Sequence, residues 1–394
     1  MNRREFLKTG GVLTAVAATG GSWYTYDHGV FSTAKGDAFS AWEHWQAGNG
    51  QQTLPLVRAA ILAASPHNTQ PWRFELTDSS VALHMDRSRN VGNLDPYLRE
   101  EYLGMGCALE NLMLAAPACG YSASAILARG SLAGPLPKQN LEPVARVEVQ
   151  PGPREESDLY RAIPRRHTNR GPYDPVRPLP PDFIDALSQL PGADDPIKIF
   201  LFTDGQQREK IADVSSLANK TLYSDEEVES ASERWIRLQW KQVQLLRDGL
   251  TIDAFGLPPL TAAFLKTLPA PVLRPLVARG QKTGYKERML TAPLMGFIAV
   301  QDRYDVTQTL QAGRIWQRAH LLATHHGIAA RPSNESVELI YYERFMGRPK
   351  HALDRLTAII GDAAWQPTFA FLMGYPTLAC TASPRRDAEG MLIS

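Results

Sequence analysis

Apolar residues recur along the chain with two periods, one typical of helices and one typical of strands. Leu56, Val57, Ala60, Ile61 and Ala64 have the spacing of one helix face, which predicts a helix. Residues 72–77 alternate apolar and polar side chains, and together with residues 81–86 they predict a hairpin. Further helices are predicted over residues 100–119, 178–190, 226–247 and 310–326, and further strands over residues 144–149, 196–203, 294–302 and 368–375.

Two of these segments carry additional information about burial and boundaries. The helix over 100–119 is apolar on both faces, so we expect it to be buried. Residues 257–275 form an apolar section broken by prolines, for which core packing and a cover over a pocket are both open interpretations.

Length and charge restrict the class of partner. The chain has 394 residues, 44% hydrophobic and 21% charged, with 42 basic against 41 acidic side chains. Such a composition is typical of a globular protein of two or three domain-sized units. The balanced charge creates no field to attract nucleic acid or an anionic membrane, so we expect small-molecule partners.

The N-terminal residues resemble an export signal. Arg3-Arg4-Glu5-Phe6-Leu7-Lys8 precedes a Gly/Ala/Thr-rich run without charge up to Asp27. This matches the twin-arginine pattern R-R-x-F-L-K, so residues 1–26 are predicted to direct the folded chain through the twin-arginine export machinery to the periplasm. Cleavage near Ala17 and an uncleaved membrane tether both stay open. Export in the folded state favours a cofactor that is loaded in the cytoplasm.

Cysteine and histidine positions give little sign of a disulfide or metal site. Cys107 and Cys119 fall in one predicted helix, about 18 Å apart at 1.5 Å per residue, too far to bridge. His325 and His326 are adjacent and therefore point to different helix faces, without a third ligand at metal-binding spacing. We expect neither a disulfide framework nor a metal.

A loop follows the first predicted helix: Ser65-Pro66-His67-Asn68-Thr69-Gln70-Pro71-Trp72. Two prolines restrict its ends, so its polar side chains are held at low entropic cost. A helix cap followed by a turn would explain a generic Ser-Pro-x-Asn. The complete string, however, resembles the Ser-Pro-…-Asn-x-Gln-Pro-Trp signature of the nitroreductase superfamily of FMN proteins. The resemblance implies that Ser65, Pro66, His67 and Asn68 lie against the flavin.

Further motifs resemble one branch of that superfamily, called Acg-like. They are Asp86-Arg87-Ser88-Arg89, Asp95-Pro96-x-x-Arg99 and Gly106-Cys107-Ala108-Leu109-Glu110-Asn111-Leu112. The resemblance implies an α+β nitroreductase fold, with a mixed or antiparallel sheet flanked by helices. It also implies two nitroreductase-like halves that form an intramolecular pseudo-dimer. We assign residues 27–52 to a lead-in, 53–150 to the first half and 151–394 to the second, with a helical excursion over 205–290.

The second half begins with Arg165-Arg166-His167-Thr168-Asn169-Arg170, which resembles the phosphate-gripping entry of nitroreductases. Arg166, His167, Thr168 and Arg170 match the family's positions, and forked guanidinium groups with a hydroxyl suit a phosphate dianion. A solvated basic face is the alternative. By the same resemblance, Arg385 and Arg386 return to the phosphate and Arg288 contacts the pyrimidine edge. Ser333, Asn334 and Glu335 form the turn that presents a backbone N–H to flavin N5.

The implied function is that of an FMN-dependent oxidoreductase. Hydride would pass from a small-molecule donor through flavin N5 to a nitroaromatic, quinone or similar acceptor, with no protein acid as the catalytic group. The alternative is an FMN-binding or storage protein whose flavin is covered by residues 257–275; a flavin-free exported protein that keeps only the fold is a third. We expect one flavin site and a monomer. No Gly-x-Gly-x-x-Gly fingerprint opens a βαβ unit, which argues against a Rossmann enzyme.

Overall fold

The computed structural model describes residues 29–46, 53–134 and 139–393. Its strands are β1 Trp72–Leu76, β2 Ser80–Asp86, β3 Tyr121–Leu127, β4 Leu141–Pro151, β5 Ile197–Phe202, β6 Ile236–Arg237, β7 Leu250–Thr251, β8 Leu294–Val300, β9 Ala329–Pro332 and β10 Gln366–Gly374. Its helices are α1 Ser40–Glu43, α2 Leu54–Ala60, α3 Arg99–Ala118, α4 Asp158–Ala162, α5 Pro181–Ser188, α6 Gly205–Leu222, α7 Glu226–Glu233, α8 Trp240–Leu246, α9 Pro259–Lys266, α10 Ala270–Lys282, α11 Tyr285–Leu290, α12 Val306–His325, α13 Glu335–Phe345 and α14 His351–Ile360. The predicted α+β class is confirmed.

Two four-stranded antiparallel sheets organise the chain. The first has the order β1-β2-β4-β3 and contains the predicted hairpin, in which Phe74 pairs with Leu83. The second has the order β5-β8-β10-β9. In both sheets the first two strands precede a 20-residue helix and the last two follow it, α3 in the first case and α12 in the second. The same topology therefore occurs twice.

The two long helices, α3 and α12, cross at a pair of glycines. A Cβ atom on Gly106 would lie 2.1 Å from the carbonyl oxygen of Leu310, and one on Gly313 would lie 2.1 Å from that of Leu103. Each glycine is the eighth residue of its helix, and each opposing leucine is the fifth. Only hydrogen fits at these two positions, so the two backbones touch directly. As predicted, α3 is buried on nearly all sides, because α12, α2 and the first sheet surround it.

The C-terminal residues return to the first sheet. Ile393 donates its backbone N–H to the carbonyl oxygen of Phe74 at 2.8 Å, beside a parallel bridge between Phe74 and Leu392. This path carries the preceding segment, residues 383–386, past the Ser65–Gln70 loop. Sequence positions more than 300 residues apart are thereby joined.

Two predictions about single elements were wrong. The long amphipathic helix predicted over 226–247 is broken into α7, β6 and α8. The backbone of Ile236–Arg237 instead pairs in parallel with Leu250–Thr251. As a result Leu245 is 80% exposed, although Trp235 is buried, so the two do not share one apolar helix face. The first predicted helix corresponds to α2, which ends at Ala60, so Ala64 lies in the following loop rather than on the helix.

The predicted signal over residues 1–26 lies outside the described residues, as does part of the lead-in. Among the ranges that the structure describes, no helix combines the length and the apolar character needed to cross a membrane. Cys107, Cys119 and Cys380 are free thiols.

Candidate functional site

The loop that follows α2 is held in an unusual backbone conformation. Pro66–Asn68 forms a single 3-10 turn, and the hydroxyl of Ser65 accepts a hydrogen bond from the N–H of Gln70 at 3.1 Å. His67, Asn68 and Gln70 have φ angles of 45°, 57° and 51°, in the left-handed region that non-glycine residues seldom occupy. Such conformations persist only where surrounding contacts fix them, and they cluster at functional sites.

The contacts that fix the loop come from distant segments. The Asn68 side chain donates to the carbonyl oxygens of Gly249 at 3.1 Å and Pro384 at 3.0 Å and accepts from the guanidinium of Arg385. Gln70 accepts from the backbone N–H of Arg386 at 2.9 Å. The loop and residues 383–386 therefore form one hydrogen-bonded unit.

Beside this unit lies a cavity of about 490 Å³, a size typical of small-molecule sites. All the residues predicted from the resemblance line it except Arg386: Ser65, Pro66, His67, Asn68, Arg166, His167, Thr168, Arg170, Arg288, Ser333, Asn334, Glu335 and Arg385. Arg386 instead turns its guanidinium toward the carbonyl oxygen of Gln70, so it supports the loop from outside the cavity.

Three arginines on the cavity wall, Arg166, Arg170 and Arg385, form what we call the basic cluster. Arg166 and Arg385 are each only 2% exposed. Their hydrogen-bond acceptors in the described residues are neutral: Arg166 donates to Leu62 O at 3.1 Å and Arg385 to Ala63 O at 3.1 Å. Arg170 reaches Ala254 O at 3.4 Å. Within the described part of the chain none of the three forms an ion pair with a carboxylate.

An unneutralised group of buried cations is costly for the folded chain. Burial, together with the charges of Arg331 and Arg166, lowers the pKa of Arg170 to about 10. Burial, followed by the charges of Arg166 and Arg170, lowers the pKa of Arg385 well below its usual value. The Nε atoms of Arg166 and Arg385 are buried and have no hydrogen-bond partner among the described side chains and backbone. The cluster thus has donors and positive charge available for an anion.

Aromatic and imidazole rings pack against the basic cluster. The indole of Trp42 lies 4.7 Å from the guanidinium carbon of Arg385 and 5.9 Å from that of Arg166. His320 contacts Arg166 at 3.5 Å, and burial lowers its pKa. Burial, with the nearby Arg166 and Arg385, lowers the pKa of His167 to about 3, so this ring is neutral at pH 7. These neutral rings exclude water without adding charge.

Carboxyl groups occupy another part of the wall. Glu100, Glu335 and Glu338, which we call the acidic wall, line the cavity together with the phenols of Tyr223 and Tyr285. Glu100 is paired with Arg99 at 2.9 Å and accepts from Asn334 at 2.7 Å. His67 lies within electrostatic range of both Glu100 and Arg170, and burial lowers its pKa to about 4.

The prediction from sequence missed several residues of the wall. Trp42, Glu100, Arg331 and Glu338 line the cavity but belong to none of the motif positions that were carried over. Trp42 comes from the lead-in, where no pattern marked it. Helices α9 and α10 of the proline-broken section also contribute, through Leu265 and Val277 among others. In the ranges that the structure describes, no three histidine, cysteine, aspartate or glutamate side chains are arranged so that they could hold a metal ion.

Comparisons with known proteins bear on the N-terminal signal and on the family that the chain resembles. A family model described as the TAT (twin-arginine translocation) pathway signal sequence matches residues 1–20, which confirms the predicted signal. The chain is 34% identical over 120 residues to "Putative NAD(P)H nitroreductase Rv3131" of Mycobacterium tuberculosis, covering 30% of this chain and 33% of that protein. It is 29% identical over 173 residues to "Putative NAD(P)H nitroreductase acg" of the same species, and this match covers 42% of this chain and 49% of that protein.

The matched segments thus span between about a third and a half of these relatives. Among solved structures, the FMN-dependent nitroreductase NfnB from Mycobacterium smegmatis, in complex with NADPH, is 16% identical. The match covers 59% of this chain and 96% of that one, with a TM-score of 0.37. A nitroreductase with bound FMN from Desulfitobacterium hafniense is 12% identical, with coverages of 61% and 99% and a TM-score of 0.36. The sequence relatives confirm the resemblance to the Acg-like branch of the nitroreductase superfamily.

Proposed function

We propose that the chain is an FMN-binding oxidoreductase of the nitroreductase type. The observation that carries the proposal is the basic cluster: three arginines line one cavity, and none of them has a carboxylate partner among the residues that the structure describes. A phosphate dianion would neutralise them and satisfy the unpartnered Nε atoms of Arg166 and Arg385. The curated relatives are named as NAD(P)H nitroreductases, and a solved neighbour holds FMN.

The residues of the wall divide the work of holding the cofactor. Arg166, Arg170 and Arg385 would hold the phosphate, while the rigid loop at Ser65–Asn68 and the Ser333–Glu335 turn would hold the ring. Bound FMN supplies the two-electron chemistry, which needs orientation and hydrogen bonds from the protein rather than a catalytic side chain. Trp42 and the neutral His167 would keep water from the phosphate contacts. The acceptor we propose is a planar nitroaromatic or quinone.

We also propose that the two sheets are the two halves of an internal pseudo-dimer. The repeated strand order and the reciprocal contacts of Gly106 and Gly313 support this. The basic cluster belongs to the second half and the loop at Ser65 to the first, and both line the same cavity. We therefore expect one flavin per monomeric chain. With the twin-arginine signal at residues 1–20, we place the protein in the periplasm, and its donor need not be NAD(P)H.

The test is flavin content after purification of the chain. Arg166→Gln combined with Arg385→Gln should remove the copurifying FMN that the parent chain carries, measured by visible absorbance and by chromatography of the heat-released chromophore. Arg161→Gln is the matched control, since Arg161 is exposed beside Glu156 and Asp158 and does not line the cavity. Full flavin retention in the double variant would refute the assignment, as would a flavin-free parent that takes up no added FMN.

Turnover is tested separately from binding. The acceptor is nitrofurazone or menadione, reduced by the flavin-loaded chain with NADPH as donor, or by the dithionite-reduced chain after excess dithionite has been removed. This assay distinguishes an oxidoreductase from a storage protein. Sustained turnover is the expected result. A single reduction equivalent per flavin, with no further turnover, would instead support the storage function. The names of the sequence relatives do not favour storage.

A further inference from the structure

Glu338 is the member of the acidic wall that has neither a role in the proposed function nor an ion-pair partner among the described residues. It is only 6% exposed and lines the cavity, and its Oε2 atom has no hydrogen-bond partner in the described ranges of the chain. It projects from α13, immediately after the turn assigned to the flavin. A buried carboxyl oxygen without a donor costs free energy unless a ligand or a proton satisfies it.

The charges around Glu338 do not balance within the protein. Glu100 is neutralised by Arg99. Glu335 has Arg331 within electrostatic range and lies 3.5 Å from the hydroxyl of Ser333. For Glu338 the structure provides no ion pair among the described residues. Among the described residues, Glu338 is therefore the member of the acidic wall that has no basic side chain as a direct partner.

We propose that the acidic wall is a subsite for a cationic nitrogen, such as an ammonium or amidinium group, on the molecule that shares the cavity with FMN. This inference rests on the proposed function and specifies the substrate class of the same site. A cation would supply the donor that Glu338 Oε2 lacks, and Glu100, Glu335 and the two phenols would surround it. Anionic acceptors would be disfavoured by the same wall.

Protonation is the competing way to satisfy Glu338. Burial, followed by the charges of Glu100 and Glu335, raises the pKa of Glu338 well above its usual range, and a hydrogen bond shared with the Glu100 carboxyl adds to this rise, while Arg99 opposes it. The phenols of Tyr223 and Tyr285 are further titratable groups of this wall, and burial raises the pKa of each. A bound cation would offset this repulsion and lower the pKa of Glu338. Cation binding near neutral pH should therefore release a proton.

The test uses three nitrobenzenes that differ in charge but little in shape: 4-nitrobenzylamine (cationic at pH 7), neutral 4-nitrobenzyl alcohol and anionic 4-nitrobenzoate. Their affinities for the flavin-loaded full chain are measured by titration calorimetry. A charge-assisted hydrogen bond should make the amine bind roughly tenfold or more tightly than the alcohol, with the benzoate weakest. Repeating the amine titration in PIPES and in ACES, two sulfonate buffers that differ in ionisation enthalpy and carry no net positive charge, reveals the proton released.

Glu338→Gln keeps the shape of the side chain and removes the charge. We expect the amine-to-alcohol affinity ratio to fall to about one, and the proton release to disappear. Glu343→Gln is the matched control: Glu343 lies on the same helix, is 7% exposed and accepts from the backbone N–H of Ala352, outside the cavity. This control should keep both the ratio and the proton release.

Equal affinity for the three probes, tighter binding of the benzoate, or an unchanged ratio in Glu338→Gln would overturn the subsite. The flavin content of each sample is read from its absorbance. If the chain holds no FMN, the proposed function fails, while the same titrations on the flavin-free chain still decide whether the acidic wall selects a cation. The two failures are therefore distinguishable.

Discussion

Replacing Arg170 with methionine should have opposite effects on stability and on flavin affinity. The substitution removes one charge from the basic cluster and keeps an unbranched side chain. The guanidinium has a single long hydrogen bond, at 3.4 Å to Ala254 O, and no ion pair within the described residues. Its positive charge faces Arg331 and Arg166 in a largely buried position, and the pKa of Arg170 is lowered to about 10.

The size of the stability effect follows from that pKa. A pKa lowered from 12.5 to about 10 corresponds, at about 1.4 kcal/mol per tenfold change, to roughly 3 kcal/mol of destabilised charge. Loss of the hydrogen bond to Ala254 costs about 1 kcal/mol, so the flavin-free variant should gain about 2 kcal/mol. For a chain of 394 residues the unfolding entropy is roughly 0.8 kcal/mol/K, which makes the expected rise in Tm about 2–3 °C.

Flavin affinity should change in the other direction. A charge-assisted hydrogen bond to phosphate contributes about 1.5–3 kcal/mol, so FMN should bind the variant roughly 10- to 150-fold more weakly. Thermal unfolding of the flavin-free chain, with and without added FMN, measures both quantities. Arg161→Met, an exposed arginine paired with Glu156 and Asp158, should change neither. A lower Tm in the flavin-free Arg170→Met chain, together with unchanged FMN affinity, would show that the cluster is neither strained nor an anion site.

Two further predictions concern the helix crossing and the loop. Gly106→Ala should destabilise the chain by about 3 kcal/mol or more in urea unfolding, because the new Cβ would lie 2.1 Å from Leu310 O. Gly205→Ala is the control, since a Cβ there meets open space, and it should leave the stability nearly unchanged. Equal effects of the two substitutions would contradict the helix crossing. His67 is neutral in the folded chain because burial lowers its pKa from 6.5 to about 4. As pH falls below 6.5 the unfolded chain binds this proton first, so stability decreases, by about 2 kcal/mol for this residue between pH 7 and 5. His67→Gln should lose that much less over the same range in urea unfolding, and an identical pH dependence would refute the neutral assignment.

Helices and strands with a strong apolar periodicity could be predicted from the sequence alone. The 20-residue helices α3 and α12 and the first hairpin have long apolar periodicities, and these were predicted within a few residues. Strand β3 was missed because its alternating small residues lie at a sheet edge, half exposed, where the apolar signal is weak. The helix predicted over 226–247 was wrong because pairing of β6 with β7 outweighed local helical periodicity.

The site divides in the same way. The loop motif, the arginine-rich entry and the C-terminal arginines were recognised in the sequence because they are short contiguous strings. Arg385 lines the cavity, whereas the adjacent Arg386 supports the loop. This difference could not be read from the sequence, because it depends on the path of residues 383–386 past Gln70 in the folded chain. The tertiary structure alone placed Trp42 against the basic cluster and Glu338 on the wall. Contacts between segments hundreds of residues apart depend on how the helices and sheets pack, and no local pattern encodes that packing.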